Sequence, residues 1–349
     1  MRVAWLALVL AGCGASIPSA KQIGDCKACH PTQSNEFARS RHRDAAGSPA
    51  YLALKARAGS NAGLCERCHR PDAAAPGLTC LTCHTAVGNR ETQNGQLLLD
   101  PDGAVQVGSA VGLRAPHRVA AGGFLRASEL CATCHDVQGP GAFHEAPFES
   151  WQRSPAGQGG VSCQACHMSP TPGAPGTRPM IAVAAGMRDE RPHASHAFVG
   201  LGAEPGAALG LLARGIELRL TRDGGAATLE IANVGEGHHD LAGAGFIREL
   251  QAVVEQLQPD GGARTLSKMP LDVSLTQGGA PTFSPLTADA WTDRGLDPED
   301  VRALSVGDAG EGVLRGCLVY ARVRPELAAL LGIAPSPEVE GNCVTLPAR

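Results

Sequence analysis

Polar and apolar positions divide this 349-residue chain into three unlike stretches. The first is a short apolar run, residues 3–10, with Arg2 before it and small residues after it. Eight apolar residues are too few to span a bilayer and suit the core of an export signal. The middle stretch, as far as His196, reads as short helices and irregular loops. The third begins near Leu212, where segments of alternating character follow one another: "GIELRLTR", "AATLEIANV", "RELQAVVEQL" and "GVLRGCLVYARV". Turns such as "DGG" separate them. Period-two alternation in short turn-bounded runs predicts a small antiparallel β-sandwich. "RPELAALLG" adds one short helix, and "LGAEPGAALG" reads as a linker.

Composition changes this picture in one respect. Aromatic residues are 3% of the chain, with 7 Phe, 3 Trp and 2 Tyr, while 44 Gly and 25 Pro make up about a fifth of it. A domain so poor in large side chains must find packing surface elsewhere, and a bulky prosthetic group would supply it. The net charge of −4, with no basic stripe, argues against nucleic acid as a partner. Behind the apolar run, "LAGC" resembles the bacterial lipobox, which would make Cys13 the lipidated first residue of the mature chain; a plain secretory signal is the alternative. Gly14 lacks the acidic residue that favours inner-membrane retention, so an outer-membrane lipoprotein facing the periplasm or cell surface is expected.

The 13 cysteines carry the chemistry. One pattern recurs five times: Cys26, Cys29, His30; Cys65, Cys68, His69; Cys80, Cys83, His84; Cys131, Cys134, His135; and Cys163, Cys166, His167. Zinc ribbons and redox dithiols use paired cysteines but have no reason to place His directly behind each pair. Covalent haem c has that reason, because two thioethers fix the macrocycle while the adjacent imidazole reaches the iron. Five covalently bound haems are therefore expected within residues 26–167, about 28 residues for each. Chain this sparse cannot insulate them, so neighbours must lie edge to edge, most closely the second and third. Cys317 and Cys343 remain, and in an exported chain a disulfide between them is expected.

Seven further histidines are candidates for the far side of each iron: His42, His117, His144, His196 and His238, with His193 and His239 ranked lower. His42 falls on a plausible helix after the first motif. Met would raise the potential, but Met168 points away from its neighbour's iron, and Met180 and Met187 rank below the histidines. The expectation is low-potential irons held by two imidazoles each.

The stretches "SRH", "SELCATCH", "FESWQRSP" leading to "GVSCQACHM", and "SHAFVG" resemble a known group across roughly residues 26–200. It is the family of multihaem c-type cytochromes that includes the tetrahaem electron acceptor of hydroxylamine oxidoreductase and relatives of pentahaem nitrite reductase. The resemblance implies a β-domain after the haems, with a loop N-x-G-x-G-H-x-x-P-T-G whose His reaches back to a haem. "NVGEGHHDLAG" matches through His238, then departs at Leu241 and Ala242 and adds His239, leaving either of the pair as the ligand. The C-x-x-C-K motif of the nitrite reductases is missing. Neither Tyr51 nor Tyr320 stands where hydroxylamine oxidoreductases carry their cross-linked tyrosine.

The resulting organisation is a signal at 1–12, a tether at 13–25, a pentahaem cytochrome c domain at 26–200, a linker at 201–212 and a β-sandwich-like domain at 213–349. The expected role is electron relay in the cell envelope between redox partner proteins: quinol-linked or envelope cytochromes, or an outer-membrane porin. The membrane would be reached through the lipid anchor. Two alternatives stand beside it: an oxidoreductase with one open haem acting on a small nitrogen or sulfur compound, and a module of a larger conductive assembly.

Overall fold

The computed structural model describes residues 17–108, 115–171, 173–175, 181–184, 187–190, 194–202, 205–235, 237–239 and 245–348, with backbone alone at 181–184, 187–190 and 205. The signal segment with Cys13, His193, Met180, Leu241 and Ala242, and the side chain of Met187, lie outside the described residues.

Eight short helices build the first half: α1 (Pro31–Ala38), α2 (Pro49–Ala58), α3 (Ala62–His69), α4 (Cys80–His84), α5 (Ser128–His135), α6 (Pro147–Arg153), α7 (Pro155–Gln158) and α8 (Cys163–His167). Proline opens α1, α2, α6 and α7, where its missing N–H costs nothing. Ser48, Ser154 and Ser162 cap α2, α7 and α8 through their side chains. Four of the five Cys-x-x-Cys-His motifs end a helix, and the first begins in a 3-10 turn, Cys26–Ala28. On a helix, positions i, i+3 and i+4 share one face, so each motif turns both thiols and the imidazole the same way. His42 is not on α1, as its spacing suggested; that helix stops at Ala38, and His42 lies in the turn beyond.

The second half begins earlier than hydropathy implied. Most of the expected linker is α9 (Pro205–Gly215), whose Ala208 and Leu212 are buried in the adjoining core. Its apolar residues serve packing, not reach. Ten strands follow: β1 (Ile216–Asp223), β2 (Ala226–Asn233), β3 (Glu249–Leu257), β4 (Ala263–Pro270), β5 (Val273–Gln277), β6 (Ala280–Thr282), β7 (Ala290–Asp293), β8 (Val301–Val306), β9 (Leu314–Ala321) and β10 (Glu338–Leu346). They form antiparallel sheets ordered β8-β2-β1, β4-β3-β9-β10 and β6-β5-β7. Leu218, Leu229, Ile231 and Leu304 of the first sheet share one core with Leu250, Val254, Leu314 and Leu318 of the second. That is a sandwich. The Cys317–Cys343 disulfide, with an S–S distance of 2.01 Å, joins β9 to β10. Between β9 and β10, α10 (Pro325–Leu331) ends at Gly332 in the left-handed conformation (φ 66°).

A smaller cluster joins the halves, with Phe143, Leu54 and Val137 meeting Phe246, Val273, Leu275 and Ala288. The Ala142 N–H donates to the Ala288 carbonyl at 2.9 Å. A side chain on Gly141 would run into that same carbonyl oxygen.

The two halves are filled differently. Among the described residues, 29 buried apolar side chains lie beyond residue 204, while residues 17–202 contribute seven, four of them Ala. Within this thinly filled half opens a cavity of about 2530 Å³. An ordinary ligand pocket holds about 300–1,000 Å³, so the space is sized for several large groups.

Candidate functional site

All five Cys-x-x-Cys-His motifs line this cavity. Three of their imidazoles are oriented by backbone carbonyls: Nδ1 donates to Ala45 O from His69 (2.6 Å), to Gln106 O from His84 (2.7 Å) and to Val199 O from His167 (2.9 Å). A proton fixed on Nδ1 leaves Nε2 as a lone-pair donor toward the cavity, as a ligating imidazole requires. The carbonyl of Gln106 is placed by a parallel pairing of residues 105–107 with 119–121. Motif five is locked to motif four, because Cys163 N donates to Ser128 Oγ (3.1 Å) and Gln164 Nε2 donates to Leu125 O and Ala127 O. Upstream, Trp151 Nε1 donates to Val161 O at 2.8 Å and fixes the approach to that motif.

Across the cavity stand other imidazoles. The ring centres of His84 and His196 are 6.2 Å apart with planes within 8°. Those of His167 and His238 are 6.1 Å apart within 18°, and those of His135 and His42 are 5.9 Å apart and nearly perpendicular. With metal–nitrogen bonds of about 2.0–2.1 Å and about 1.1 Å from nitrogen to ring centre, two imidazoles sharing one ion stand about 6.3 Å apart. All three pairs leave room for one iron. His30 is held below the usual imidazole range by burial and then by the neighbouring His117 and His84. Burial, with neighbouring histidines, also pushes His42 and His238 down to about 4 and His135 to about 3. These rings are neutral near pH 7, the form that ligates metal.

The thiols report how the motifs neighbour one another. Cys26 meets Cys80, Cys68 meets Cys134, and Cys131 meets Cys163. Motif one therefore adjoins three, two adjoins four, and four adjoins five, while Cys83 feels no thiol more strongly than its own burial and lies within electrostatic reach of Cys131 and Cys134. The second and third motifs, separated by the shortest stretch of chain, are not the pair whose thiols touch. The intervening ten residues turn them onto different neighbours.

His69 is the exception among the proximal residues. Among the described residues no imidazole faces it across an iron-sized gap. Its ring instead stacks on Tyr51 at 4.1 Å within 13°, too close for a macrocycle between them, so Tyr51 flanks His69 on its own side. Burial, then the neighbouring Cys65 and Glu66, push the Tyr51 phenol up to about 12. Lys55 lies 6.0 Å from the Tyr51 ring centre and pairs with Glu66.

Of the remaining candidates, His144 sits between Phe143 and Glu145, which line the cavity, and faces Glu149 at 3.9 Å, as strand alternation demands. His239 is gripped by Asp293 and Asp297 at 2.9 and 3.1 Å. Burial raises Asp293, but the hydrogen bond and charge of His239 hold it below the usual carboxylate range. Met168 closes the last turn of α8 through its backbone N–H. Sequence reasoning missed Tyr51 and the three carbonyl partners. Tyr51 was traceable as a large apolar residue on α2 beside the second motif, whereas the carbonyls carry no side-chain signal.

No family model and no curated protein matches the sequence. Among solved structures, a penta-heme cytochrome c552 from Thermochromatium tepidum superposes with a TM-score of 0.72 over 94% of this chain and 100% of its own, at 21% identity. The two proteins share a fold, which in this chain joins a half of short helices to a C-terminal half of antiparallel sheets.

Proposed function

We propose that this chain carries five covalently bound haem c groups and relays electrons within the cell envelope. The observation that carries the reading is the cavity itself: five Cys-x-x-Cys-His motifs converge on one space where half-buried imidazoles stand opposite three of their histidines at 5.9–6.2 Å. Haem would supply a one-electron ferric–ferrous couple at each motif. The chain's own residues then do the rest. Ten thiols would tether the groups, and His30, His69, His84, His135 and His167 would each offer the iron one nitrogen. His117, His196, His42 and His238 are the imidazoles that would offer the second at the first, third, fourth and fifth motifs. Two fixed imidazoles at an iron would suit it to electron exchange with little rearrangement. Thiol contacts between motifs one and three, four and two, and four and five, with the third within reach of the fourth, support an edge-to-edge arrangement along a branched path. The lipobox-like "LAGC" supports export and anchoring through Cys13, with envelope redox proteins as partners; among the described residues no helix is long and apolar enough to cross a membrane.

A second reading is favoured by one observation: among the described residues no imidazole stands opposite His69. On this reading His69 would hold its haem without a second imidazole, and the open side would admit a small nitrogen or sulfur species. Reduced protein exposed to carbon monoxide tests both readings. A change confined to one haem in five supports the open site, and an unchanged spectrum leaves a relay in which every iron is closed. Carbon monoxide binding at all five haems would contradict both.

A further inference from the structure

The adjacent pair His238 and His239 divides its labour, and the division couples the β-domain to the fifth motif. His238 lies across from His167, and its Nδ1 donates to the carbonyl of His239 at 2.5 Å, which leaves Nε2 for the cavity. His239 turns the other way and is held at four points. Its backbone N–H donates to Ser150 Oγ of α6 at 2.8 Å. Its Nε2 meets Asp293 Oδ1 at 2.9 Å and its Nδ1 meets Asp297 Oδ1 at 3.1 Å. Its carbonyl is the acceptor that orients His238.

Each contact has a distinct consequence. With both ring nitrogens committed to carboxylates, His239 has no lone pair to offer an iron, so its neighbour cannot be displaced by it. Ser150 belongs to the cytochrome half, whereas Asp293 ends β7 and Asp297 follows in the β-domain. The peptide between the two histidines is therefore pinned from both halves at once, directly behind the ring that faces His167.

We infer that His239 is a positioning residue: clasped by Asp293, Asp297 and Ser150, it holds His238 opposite His167 and makes axial ligation at the fifth motif depend on the docking of the β-domain. The inference rests on the proposed haem binding. It identifies the β-domain as a second wall of the redox site and not only a cap.

The test uses full-length haem-loaded protein purified from its own envelope, with intact mass recorded beside electron paramagnetic resonance of the oxidised form. In His239→Ala, five haems remain by mass, while one iron in five leaves the low-spin state or binds added cyanide at least tenfold faster. His239→Gln, which keeps a hydrogen-bonding side chain, restores most of the low-spin signal. Arg315→Ala serves as control, because it breaks the Glu255 ion pair between β9 and β3, well away from the clasp; it lowers the melting temperature without touching the spectrum. The inference is overturned if His239→Ala keeps all its low-spin signals, or if Arg315→Ala alters them equally, since general loosening then explains the change. A mass lacking the five haems in the wild type would instead remove the haem reading, and this inference with it.

Discussion

His84 and His196 are 112 positions apart in sequence, yet their rings stand parallel with centres 6.2 Å apart. His196 reaches that place through a segment with two duties. Its backbone N–H donates to Glu36 Oε2 of α1, and three residues on, the Val199 carbonyl orients His167. One short stretch thus serves the third and fifth motifs together.

Replacing that ring should open the third iron. In His196→Ala, one of five haems is expected to turn high-spin and to bind carbon monoxide when reduced, with five haems retained by mass. Magnetic circular dichroism at the near-infrared charge-transfer bands checks this haem by haem, because bis-imidazole bands should fall by the share of a single iron.

Tyr51 packs flat on His69, so its ring and its hydroxyl make separable contributions. Tyr51→Ala removes a buried aromatic and should cost about 3 kcal/mol of stability, with a shifted potential at the second haem. Tyr51→Phe keeps the stack and should cost less than about 1.5 kcal/mol. Denaturant unfolding followed by tryptophan fluorescence separates the two.

The Cys317–Cys343 bridge encloses 26 residues of sequence separation between β9 and β10. Cross-links of that span contribute about 3–4 kcal/mol through the unfolded chain. Cys317→Ala with Cys343→Ala should lower the unfolding free energy of the β-domain by about 3–4 kcal/mol, and its midpoint with it, and leave the visible spectrum unaltered. Thermal melts by far-ultraviolet circular dichroism read both arms.

Glu249, at the start of β3, has its carboxyl pushed up chiefly by burial, with the charges of Glu326 and Asp272 adding and a hydrogen bond from Gln251 opposing. The folded protein then holds this proton more tightly than the unfolded chain does. Its contribution is present at low pH and lost as pH rises through the carboxylate range. Glu249→Gln should therefore raise the melting temperature at pH 7 and leave it nearly unchanged at pH 4.

Much of the cavity's lining was readable because Cys-x-x-Cys-His is a local pattern. The ten thiols and five imidazoles that line it stand out by spacing alone, as do the strands "GIELRLTR" and "AATLEIANV", whose alternation survives in the burial of β1 and β2. What stayed hidden depends on tertiary placement. "LGAEPGAALG" looked loose because Gly and Pro mask the apolar stripe that buries Ala208 and Leu212. His144 and His239 had the right residue type in a promising loop, but strand alternation turned one to Glu149 and two carboxylates claimed the other. Proximity along the chain also misled: the ten residues between the second and third motifs direct them to different neighbours.

The central claim is that ten cysteine sulfurs hold five macrocycles in the 2530 Å³ space that all five motifs line together with residues of the second half. Intact-mass spectrometry of the protein purified from its host, denatured but not reduced, measures this directly. The account predicts the processed polypeptide plus five haems, with the mass unchanged by acid–acetone extraction. A mass equal to the polypeptide alone would contradict it.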